Sequence, residues 1–294
     1  MRVSEVLALV KSRSEPIMLW TWCTAVSCII VGRGVPPIVP TILAVMSAAL
    51  VGASVYLYND IVDREMDKMN AIKQDRPLVS GAATVNTAYM VVAFTGLVGL
   101  LIGAYVNMYT FLAGLAFFVV FFVYSHPIIR LKKMFIIKEL TLASGFIWCS
   151  LIGSTALIQN VHFGSLFAGA ISGLFVLMCT PAINDAFDIE EDKIYHVRSL
   201  ATALSWQRRV QLMGVGLLFM MVTTVFASMR FEFSTILPIS VVVAGLLVLR
   251  FLPSIYEKFE VSSVWHARQI FKYYFFFTQI MFVVASFNIA IPFL

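Results

Sequence analysis

Residues 38–67 read IVPTILAVMSAALVGASVYLYNDIVDREMD, an apolar run that ends in four acidic side chains. Crossing the hydrocarbon core of a bilayer takes about 20 mostly apolar residues in a helix, and Ile38–Tyr58 meets that length. Ionisable groups are costly inside the bilayer, so the acidic segment Asn59–Asp67 is expected at the end of the span. This stretch therefore predicts a membrane helix that carries several carboxylates to one surface of the membrane.

The composition of the whole chain agrees with a membrane protein. Of its 294 residues, 60% are hydrophobic and 13% are charged, whereas soluble globular proteins have roughly 45–50% apolar and roughly 25% charged residues. The apolar runs lack the two-residue alternation of a membrane β-barrel, which leaves helices as the structure that spans the bilayer. The composition excludes a soluble domain and predicts an all-α polytopic membrane protein.

We predict nine membrane helices, which form a single domain over residues 1–294. The predicted spans are Pro16–Val31, Ile38–Tyr58, Thr84–Val106, Tyr109–Ser125, Leu140–Ile158, Phe163–Ile183, Val210–Ser228, Phe233–Leu252 and Ile270–Ile291. Charged or turn-forming residues separate the runs. An odd number of spans places the two ends of the chain on opposite sides of the membrane.

Lysine and arginine are distributed unequally between the two sides of this arrangement. The side that holds the N-terminus and the loops after spans 2, 4, 6 and 8 carries 19 of the 21 cationic residues, and only Arg33 and Arg230 lie on the other side. Cytoplasmic loops of membrane proteins carry such an excess. We therefore expect the N-terminus and these four loops on the cytoplasmic side of the cell membrane. The cations follow the membrane edge, which favours anionic lipid over nucleic acid as a partner.

A second acidic segment matches the first. Asn59–Asp67 and Asn184–Asp192 both read Asn-Asp-x-x-Asp-x-x-x-Asp, and these segments with the residues just after them hold ten of the 16 acidic residues. The first segment follows span 2 and the second follows span 6, so the same point recurs after four spans. Such recurrence predicts an internal duplication, with pseudo-repeats at about 16–133 and 138–258 and a ninth helix at 270–291.

The spacing of the carboxylates indicates metal binding. If each span continues as a helix through its acidic segment, the three aspartates at corresponding positions lie on one face. These are Asp60, Asp63 and Asp67 in the first segment and Asp185, Asp188 and Asp192 in the second. Like charges at this spacing repel each other, and Mg²⁺ relieves the repulsion because it prefers carboxylate oxygens together with substrate phosphates. Two such faces opposed across a bundle are suited to hold a diphosphate through Mg²⁺.

Cationic side chains surround both acidic segments. They are Lys68, Lys73, Arg76, Arg130, Lys132, Lys133, Lys193 and Arg198. Cations beside a metal-bound diphosphate stabilise the negative charge that develops on it as a leaving group. For any single lysine the alternative is the general excess of cations in cytoplasmic loops. Arg76 stands apart from that background because it precedes Pro77 in a short loop next to the acids.

These motifs resemble those of the UbiA superfamily of intramembrane prenyltransferases. The two aspartate-rich motifs of the superfamily match Asn59–Asp67 and Asn184–Asp192, and its Arg-Pro-Leu-x-Ser-Gly continuation matches Arg76–Gly81. The resemblance implies a nine-helix bundle and Mg²⁺-dependent transfer of a prenyl group from an isoprenyl diphosphate to a lipophilic acceptor. The chemistry it implies is ionisation at the allylic carbon, with the apolar bundle shielding the carbocation from water.

The resemblance also implies roles for individual residues. Those expected to hold Mg²⁺ and diphosphate are Asn59, Asp60, Asp63, Asp67, Asp185, Asp188 and Asp192. Those expected to be catalytic are Asp63, Asp67, Arg76, Lys132, Asp188 and Asp192. Those expected to bind the metal–diphosphate beside them are Asn59, Lys68, Tyr124, Arg130, Lys193 and Arg198. Tyr124 and Lys132 resemble a Tyr/Lys pair that the family carries after its fourth helix.

Within the superfamily, Asp67–Asn70 and Asp188–Lys193 look closer to the archaeal ether-lipid branch, the digeranylgeranylglyceryl phosphate synthases, than to the quinone-type members. This implies a geranylgeranyl donor and geranylgeranylglyceryl phosphate as the acceptor. The alternative is an aromatic acceptor of the 4-hydroxybenzoate or tetrapyrrole type. Glu191 and His196 stand where glycine is common in the family, and Ala201 where proline often stands. The first two departures predict a differently folded loop after the second motif.

Two functions of other classes are alternatives. A divalent-cation transporter also combines internal repeats with acidic residues in the membrane, but its acids lie near the middle of broken spans. Here both acidic segments lie at the expected cytoplasmic ends, beside cationic loops, which suits a phosphorylated substrate better. A membrane scaffold with inert loops leaves the duplicated motif without an explanation. The residues therefore favour the enzyme.

Overall fold

The computed structural model of the protein describes residues 2–257 and 259–287, and this part of the chain contains helices and no strands. The helices are α1 (Val3–Ser12), α2 (Ser14–Val31), α3 (Ile38–Asp67), α4 (Pro77–Ser80), α5 (Val85–Val106), α6 (Met108–Ser125), α7 (Ile137–Ile158), α8 (Phe163–Ile183), α9 (Ile189–Ile194), α10 (Leu200–Ala203), α11 (Trp206–Arg230), α12 (Ile236–Leu249), α13 (Leu252–Tyr256) and α14 (Val261–Ser286). Turns of 3₁₀ helix lie at Ala71–Lys73, Leu131–Lys133 and Asp185–Phe187. The predicted all-α fold is confirmed.

Seven helices of the described chain are long and apolar enough to cross a membrane, namely α2, α3, α5, α6, α7, α8 and α11. α12 is apolar but has 14 residues, fewer than the roughly 20 that a span needs. α14 has 26 residues but includes Arg268 and Lys272. The chain is therefore a multi-pass membrane protein, while the count of nine spans and the internal duplication stay predictions. Of the predicted ninth span Ile270–Ile291, residues 288–291 lie outside the described residues.

α3 packs closely along α5. Ser47 Oγ donates to the carbonyl oxygen of Gly99 at 2.8 Å. Ser54 Oγ donates to the carbonyl oxygen of Val92, also at 2.8 Å. A Cβ on Gly99 would lie 3.0 Å from the backbone nitrogen of Val51, so a larger residue would push the helices apart by a few tenths of an ångström. Inside a membrane the hydrophobic effect does not drive helices together, because lipid tails are as apolar as the side chains. Close packing of small residues and hydrogen bonds from hydroxyls hold the helices together instead. The contact fixes the orientation of α3 and therefore the position of the acidic segment at its end.

α7 and α8 approach each other in the same way. A Cβ on Gly173 would lie 2.3 Å from the carbonyl oxygen of Ala143, and one on Gly169 would lie 2.7 Å from that of Phe146. Because these oxygens belong to the backbone, the helices would have to separate to admit a side chain. The pairing places the end of α8, which leads into the second acidic segment, beside the start of α7.

α8 ends at Ile183 and does not continue through the second acidic segment. In a continuing helix the carbonyl of Pro181 would accept from the amide of Asp185, but here it accepts from Arg209 Nη1 at 3.4 Å. Pro181 also lacks an amide of its own, which weakens the last turn of the helix. The prediction of one continuous helix through Asn184–Asp192 is wrong, because the segment forms a 3₁₀ turn followed by the short α9.

Gly173→Ala should lower the unfolding temperature of the protein in detergent, because the new Cβ would press against the carbonyl of Ala143. Gly214→Ala is the matched control, since a Cβ there would meet only the flexible side chain of Leu252, at 3.2 Å. Alanine favours a helix over glycine by about 1 kcal/mol, so the control should be neutral or slightly stabilising. Thermal unfolding followed by circular dichroism measures both. Equal effects of the two variants would contradict a tight contact between α7 and α8.

Candidate active site

The first acidic segment forms the last turns of α3, which stays helical up to Asp67. Asp60, Asp63 and Asp67 lie along one face of the helix, as their spacing predicts, and they are only 4%, 6% and 2% exposed. A buried charge without a partner is costly, so three carboxylates in this position require cations from elsewhere in the chain.

Asp63 contacts the cations of the loop after α6. Lys132 Nζ forms an ion pair with Asp63 Oδ1, and Arg130 Nη2 lies 3.2 Å from the same oxygen. Asn59 Nδ2 donates to Asp63 Oδ2 at 2.9 Å. Both oxygens of the carboxylate are engaged, and the loop after α6 is thereby tied to the end of α3.

Asp60 and Asp67 are paired with two arginines. Arg13, between α1 and α2, donates from Nε to Asp60 Oδ2 at 2.7 Å and pairs through Nη2 with the second oxygen. Arg76 Nη1 forms an ion pair with Asp67 and lies 3.4 Å from Asp60 Oδ1. Burial lowers the pKa of Arg13 to about 10, which still leaves it charged at neutral pH. Arg76 thus lies against the acidic face that it follows in the sequence.

Lys138, at the start of α7, joins the first and last aspartates of the second segment. Its Nζ lies 3.5 Å from Asp185 Oδ2 and 3.2 Å from Asp192 Oδ2. Ser199 Oγ also donates to Asp192, at 3.3 Å. Burial raises the pKa of Asp192 to about 6, and Lys138 acts against that rise. Asp185 Oδ2 is buried and makes no hydrogen bond, so it keeps acceptor capacity for a further partner.

Lys73 joins the two acidic segments, and we call this meeting of Asn59–Asp67 with Asn184–Asp192 the acidic junction. Lys73 Nζ lies 3.4 Å from Asp67 Oδ1 and 3.1 Å from Asp188 Oδ1, so the two segments face each other across one ammonium group. Glu191, which is 5% exposed, pairs with the same lysine at 2.8 Å. Burial alone would lower the pKa of Lys73, but Asp188 and Glu191 raise it above its ordinary value.

The chemistry of the donor set fits Mg²⁺. Carboxylate and amide oxygens are the ligands that hard divalent cations take, and both segments of the acidic junction supply them. In residues 2–257 and 259–287, three metal-ligating side chains nowhere converge on one point, because lysine and arginine lie between the carboxylates. Asp185 Oδ2 is buried, lies 3.5 Å from Lys138 Nζ and makes no hydrogen bond, so this oxygen keeps acceptor capacity beside its cation.

The structure brings most of the predicted site residues together. Those at the acidic junction are Asn59, Asp60, Asp63, Asp67, Arg76, Arg130, Lys132, Asp185, Asp188 and Asp192. Tyr124 is half-buried on α6, within electrostatic range of Asp63 and Asp185. It therefore borders the junction without joining its ion pairs.

Three of the predicted binding residues lie outside the acidic junction. Lys68 pairs with Glu65 at 2.7 Å, and Lys193 pairs with Glu190 at 3.0 Å. Both pairs join residues three apart in sequence, an arrangement that satisfies a helical lysine locally. Arg198 is exposed. Closeness in sequence to the acids does not bring these side chains into the site.

Four residues of the acidic junction are absent from the set predicted from sequence: Arg13, Asn70, Lys138 and Glu191. Arg13 lies 47 residues before its partner Asp60, and no local pattern links them. Lys138 carried a usable signal, because it follows Arg130 and Lys132 in the cationic loop after the fourth predicted span. So did Glu191, which replaces a glycine common in the resembling family. Asn70 donates to Glu191 at 2.7 Å.

An aromatic cavity of about 330 Å³ lies beside the acidic junction. Its apolar lining comes from α2, α3, α7, α8 and α14, and its rings are those of Trp20, Tyr56, Phe146, Phe175, Phe271, Phe275 and Phe276. Its polar lining is Glu15, Thr180, Asn184, Asp185, Arg268 and Lys272. Pockets with apolar walls and a few placed polar groups bind small ligands. This one suits an amphiphile with an apolar chain and a charged headgroup.

The described chain thus combines a multi-pass helical fold with buried carboxylates that lie beside an aromatic cavity. The profile of the UbiA prenyltransferase family matches residues 20–280. The chain therefore belongs to the UbiA prenyltransferase family, and it is an enzyme of the prenyltransferase class. Membership sets aside the transporter and scaffold alternatives.

Individual relatives and solved structures agree with this assignment. Digeranylgeranylglyceryl phosphate synthase of Sulfurisphaera tokodaii is 24% identical over 245 residues, which cover 83% of this chain and 85% of that protein. The 4-hydroxybenzoate octaprenyltransferase of Francisella tularensis subsp. novicida is 28% identical over 134 residues, 46% of each chain. A structure from work on digeranylgeranylglyceryl phosphate synthase in membranes has a TM-score of 0.74 at 17% identity, covering 96% of this chain and 98% of that one. A UbiA homologue from Archaeoglobus fulgidus, solved with DMAPP and Mg²⁺, has a TM-score of 0.67 at 17% identity, with coverage of 98% and 100%.

Lys138→Met should destabilise the protein strongly in buffer with EDTA, because it leaves Asp185 and Asp192 buried without their shared cation. Removing one partner of a buried ion pair costs about 3–5 kcal/mol. Adding Asp192→Asn to this variant should recover part of the loss, since one of the two charges is then gone. Thermal unfolding in detergent measures the effect.

Lys193→Met is the matched control for this experiment. Its pair with Glu190 is at the surface, and exposed ion pairs contribute little to stability. We expect its unfolding temperature to equal that of the wild type. A Lys138→Met protein that unfolds at the wild-type temperature would contradict the role given to this buried cation.

Proposed function

We propose that the protein transfers a prenyl group from an isoprenyl diphosphate to a lipophilic acceptor in a Mg²⁺-dependent reaction. The observation that carries this proposal is the acidic junction, where two carboxylate-rich segments face each other across Lys73 beside an aromatic cavity. Carboxylates with Mg²⁺ recognise a diphosphate, and arginine and lysine add direct contacts to its oxygens. The apolar walls of the cavity receive the isoprenyl chain.

The residues that would hold Mg²⁺ are Asn59, Asp60, Asp63, Asp67, Asp185, Asp188 and Asp192. When bound, the metal supplies positive charge that neutralises the diphosphate. A UbiA homologue from Archaeoglobus fulgidus solved with DMAPP and Mg²⁺ supports this choice of ion. The catalytic role of Asp63, Asp67, Asp188 and Asp192 is to position the diphosphate so that its allylic carbon points into the cavity.

Arg76, Arg130 and Lys132 stabilise the leaving group. They lie against the first acidic face, where Asp63 and Asp67 hold them in place. As the allylic C–O bond breaks, negative charge accumulates on the diphosphate, and cations already positioned there lower the barrier. These side chains therefore exchange a carboxylate partner for the diphosphate when the substrate binds.

The cavity protects the reacting carbon from water. Its lining is mainly aromatic and aliphatic, and ring faces attract a nearby positive charge. Exclusion of water prevents hydrolysis of the allylic cation before the acceptor reaches it. The acceptor then forms a bond to the allylic carbon and loses a proton, and the diphosphate formed in the ionisation is released.

For the acceptor, we favour geranylgeranylglyceryl phosphate with a geranylgeranyl donor. The match to the Sulfurisphaera tokodaii synthase extends over 83% of this chain, whereas the match to the 4-hydroxybenzoate enzyme extends over 46%. An aromatic acceptor is the second candidate, because that shorter match has the higher identity, 28% against 24%.

We place the enzyme in the cell membrane with its N-terminus and acidic junction on the cytoplasmic side. The distribution of lysine and arginine over the predicted loops supports this orientation. Water-soluble Mg²⁺ and the diphosphate product are then exchanged with the cytoplasm, while both lipid chains stay in the bilayer.

The decisive assay uses purified protein in liposomes with labelled geranylgeranyl diphosphate and a panel of acceptors, in Mg²⁺ or in EDTA. We expect a prenylated product with geranylgeranylglyceryl phosphate that forms in Mg²⁺ and not in EDTA. Product with 4-hydroxybenzoate instead would select the second candidate. A protein that makes no Mg²⁺-dependent product with any glycerophosphate, aromatic or tetrapyrrole acceptor would refute the proposed reaction.

Asp63→Asn and Asp188→Asn should each lower kcat by about 100-fold or more, because each removes a carboxylate that positions the diphosphate. Both proteins should keep the circular dichroism spectrum of the wild type. Asp75→Asn is the matched control, since Asp75 is an exposed acid in the loop between α3 and α4 and lies outside the acidic junction. Wild-type rates in both junction variants would remove the argument for a metal–diphosphate site.

A further inference from the structure

A cationic group at the cavity has no part in the reaction described above. Arg268 and Lys272 of α14 line the cavity together with Glu15 at the start of α2. Lys272 Nζ lies 2.6 Å from Glu15 Oε1, and Arg268 Nη2 lies 3.8 Å from Glu15 Oε2. Two cations thus share one carboxylate, and the group keeps a surplus of positive charge.

Arg268 is held at the edge of the cavity by aromatic stacking. Its guanidinium lies over the ring of Trp265, 5.0 Å from the centroid. Trp265 in turn stacks on Phe187, with 5.1 Å between centroids. Phe187 belongs to the 3₁₀ turn that begins at Asp185. The stack therefore fixes the position of Arg268 relative to the second acidic segment.

The charge of this group is opposite to that of the neighbouring acidic junction. At the junction the cations Lys73, Arg76, Lys132 and Lys138 pair with buried carboxylates, so an anion binds there only together with metal ions. Arg268 and Lys272 are 30% and 40% exposed and share a carboxylate that is itself 62% exposed. An anion can reach these two side chains without a metal, and it competes there with Glu15.

We propose that Arg268 and Lys272 bind the anionic headgroup of the acceptor, a phosphate monoester, at the edge of the aromatic cavity. This inference rests on the proposed function and names the chemistry of the second substrate. The planar fork of arginine binds two phosphate oxygens at once, and the lysine adds a third contact. Glu15 occupies the two cations when the acceptor is absent and is displaced by its headgroup.

A purely structural role for the same residues makes a different prediction. If the ion pairs only fasten α2 to α14, then removing either partner weakens the protein in the same direction. If they form a site for an anion, removing Glu15 strengthens acceptor binding and removing a cation weakens it. The sign of the Glu15 effect therefore separates the two roles.

The test compares Arg268→Gln, Lys272→Gln and Glu15→Gln with the wild type in liposomes, with geranylgeranylglyceryl phosphate as the acceptor. We expect each cation variant to raise the acceptor KM about tenfold, the loss typical of one charged hydrogen bond, and Glu15→Gln to lower it. The KM for geranylgeranyl diphosphate should stay constant. Arg250→Gln is the matched control, because Arg250 is an exposed cation at the end of α12 outside the cavity lining.

The headgroup is tested with two further acceptors. Geranylgeranylglycerol lacks the phosphate, so its KM should be the same in the wild type and in both cation variants. With 4-hydroxybenzoate we expect no effect of the variants. Cation variants that raise the KM for 4-hydroxybenzoate and leave that for the phosphate lipid unchanged would overturn the phosphate assignment. So would a Glu15→Gln effect in the same direction as Lys272→Gln.

Binding without turnover keeps this inference separate from the proposed reaction. Geranylgeranylglyceryl phosphate is titrated into protein without donor, and the tryptophan fluorescence is followed, since Trp20 lines the cavity and Trp265 lies under Arg268. We expect about tenfold weaker binding in each cation variant. If the wild type makes no product but shows this pattern, the proposed function fails and the anion site stands. If product forms and binding is equal in all variants, the anion site fails and the function stands.

Discussion

The buried carboxylates at the acidic junction depend on cations from distant parts of the chain. A buried aspartate without a partner is more costly than most single contacts can offset, and Asp60, Asp67, Asp185 and Asp192 are each less than one-tenth exposed. Their cations come from the segment between α1 and α2, from the loop after α3 and from the start of α7. Charge neutralisation therefore sets how these segments meet at one end of the bundle.

The same cations connect stability with function. In the structure these cations neutralise carboxylates, and in the proposed reaction Arg76, together with Arg130 and Lys132, turns to the diphosphate while divalent ions bind the acids. Lys73 shows this most clearly, because it touches Asp67 of one segment and Asp188 of the other. In such a site the carboxylates are available to metal ions, and until a metal binds each of them is paired with a cation. The cost of burying the carboxylates is therefore offset by cations, some of which have a role in the proposed reaction.

Several features followed from short-range patterns. Apolar length predicted the seven helices of the described chain that can cross a membrane, and the spacing of Asp60, Asp63 and Asp67 predicted their common face, because both depend only on helical geometry. The same argument failed for Asn184–Asp192. There Pro181 weakens the last turn of α8, and its carbonyl oxygen accepts a hydrogen bond from Arg209. Arg209 belongs to a helix that begins more than twenty residues later in the chain. A prediction from residues close together in sequence cannot include a distant side chain that competes for a backbone carbonyl.

The sequence by itself determined the membrane class, the two acidic motifs and most of the side chains at the acidic junction. These depend on composition and on residue types at fixed spacing. Only the tertiary structure decided which cation meets which carboxylate, and that Lys68, Lys193 and Arg198 lie outside the junction while Arg13, Lys138 and Glu191 belong to it. It also placed Arg268 and Lys272 on the cavity with Glu15. Electrostatic partners are chosen by distance in space, and helix packing sets that distance between residues that lie far apart in the chain.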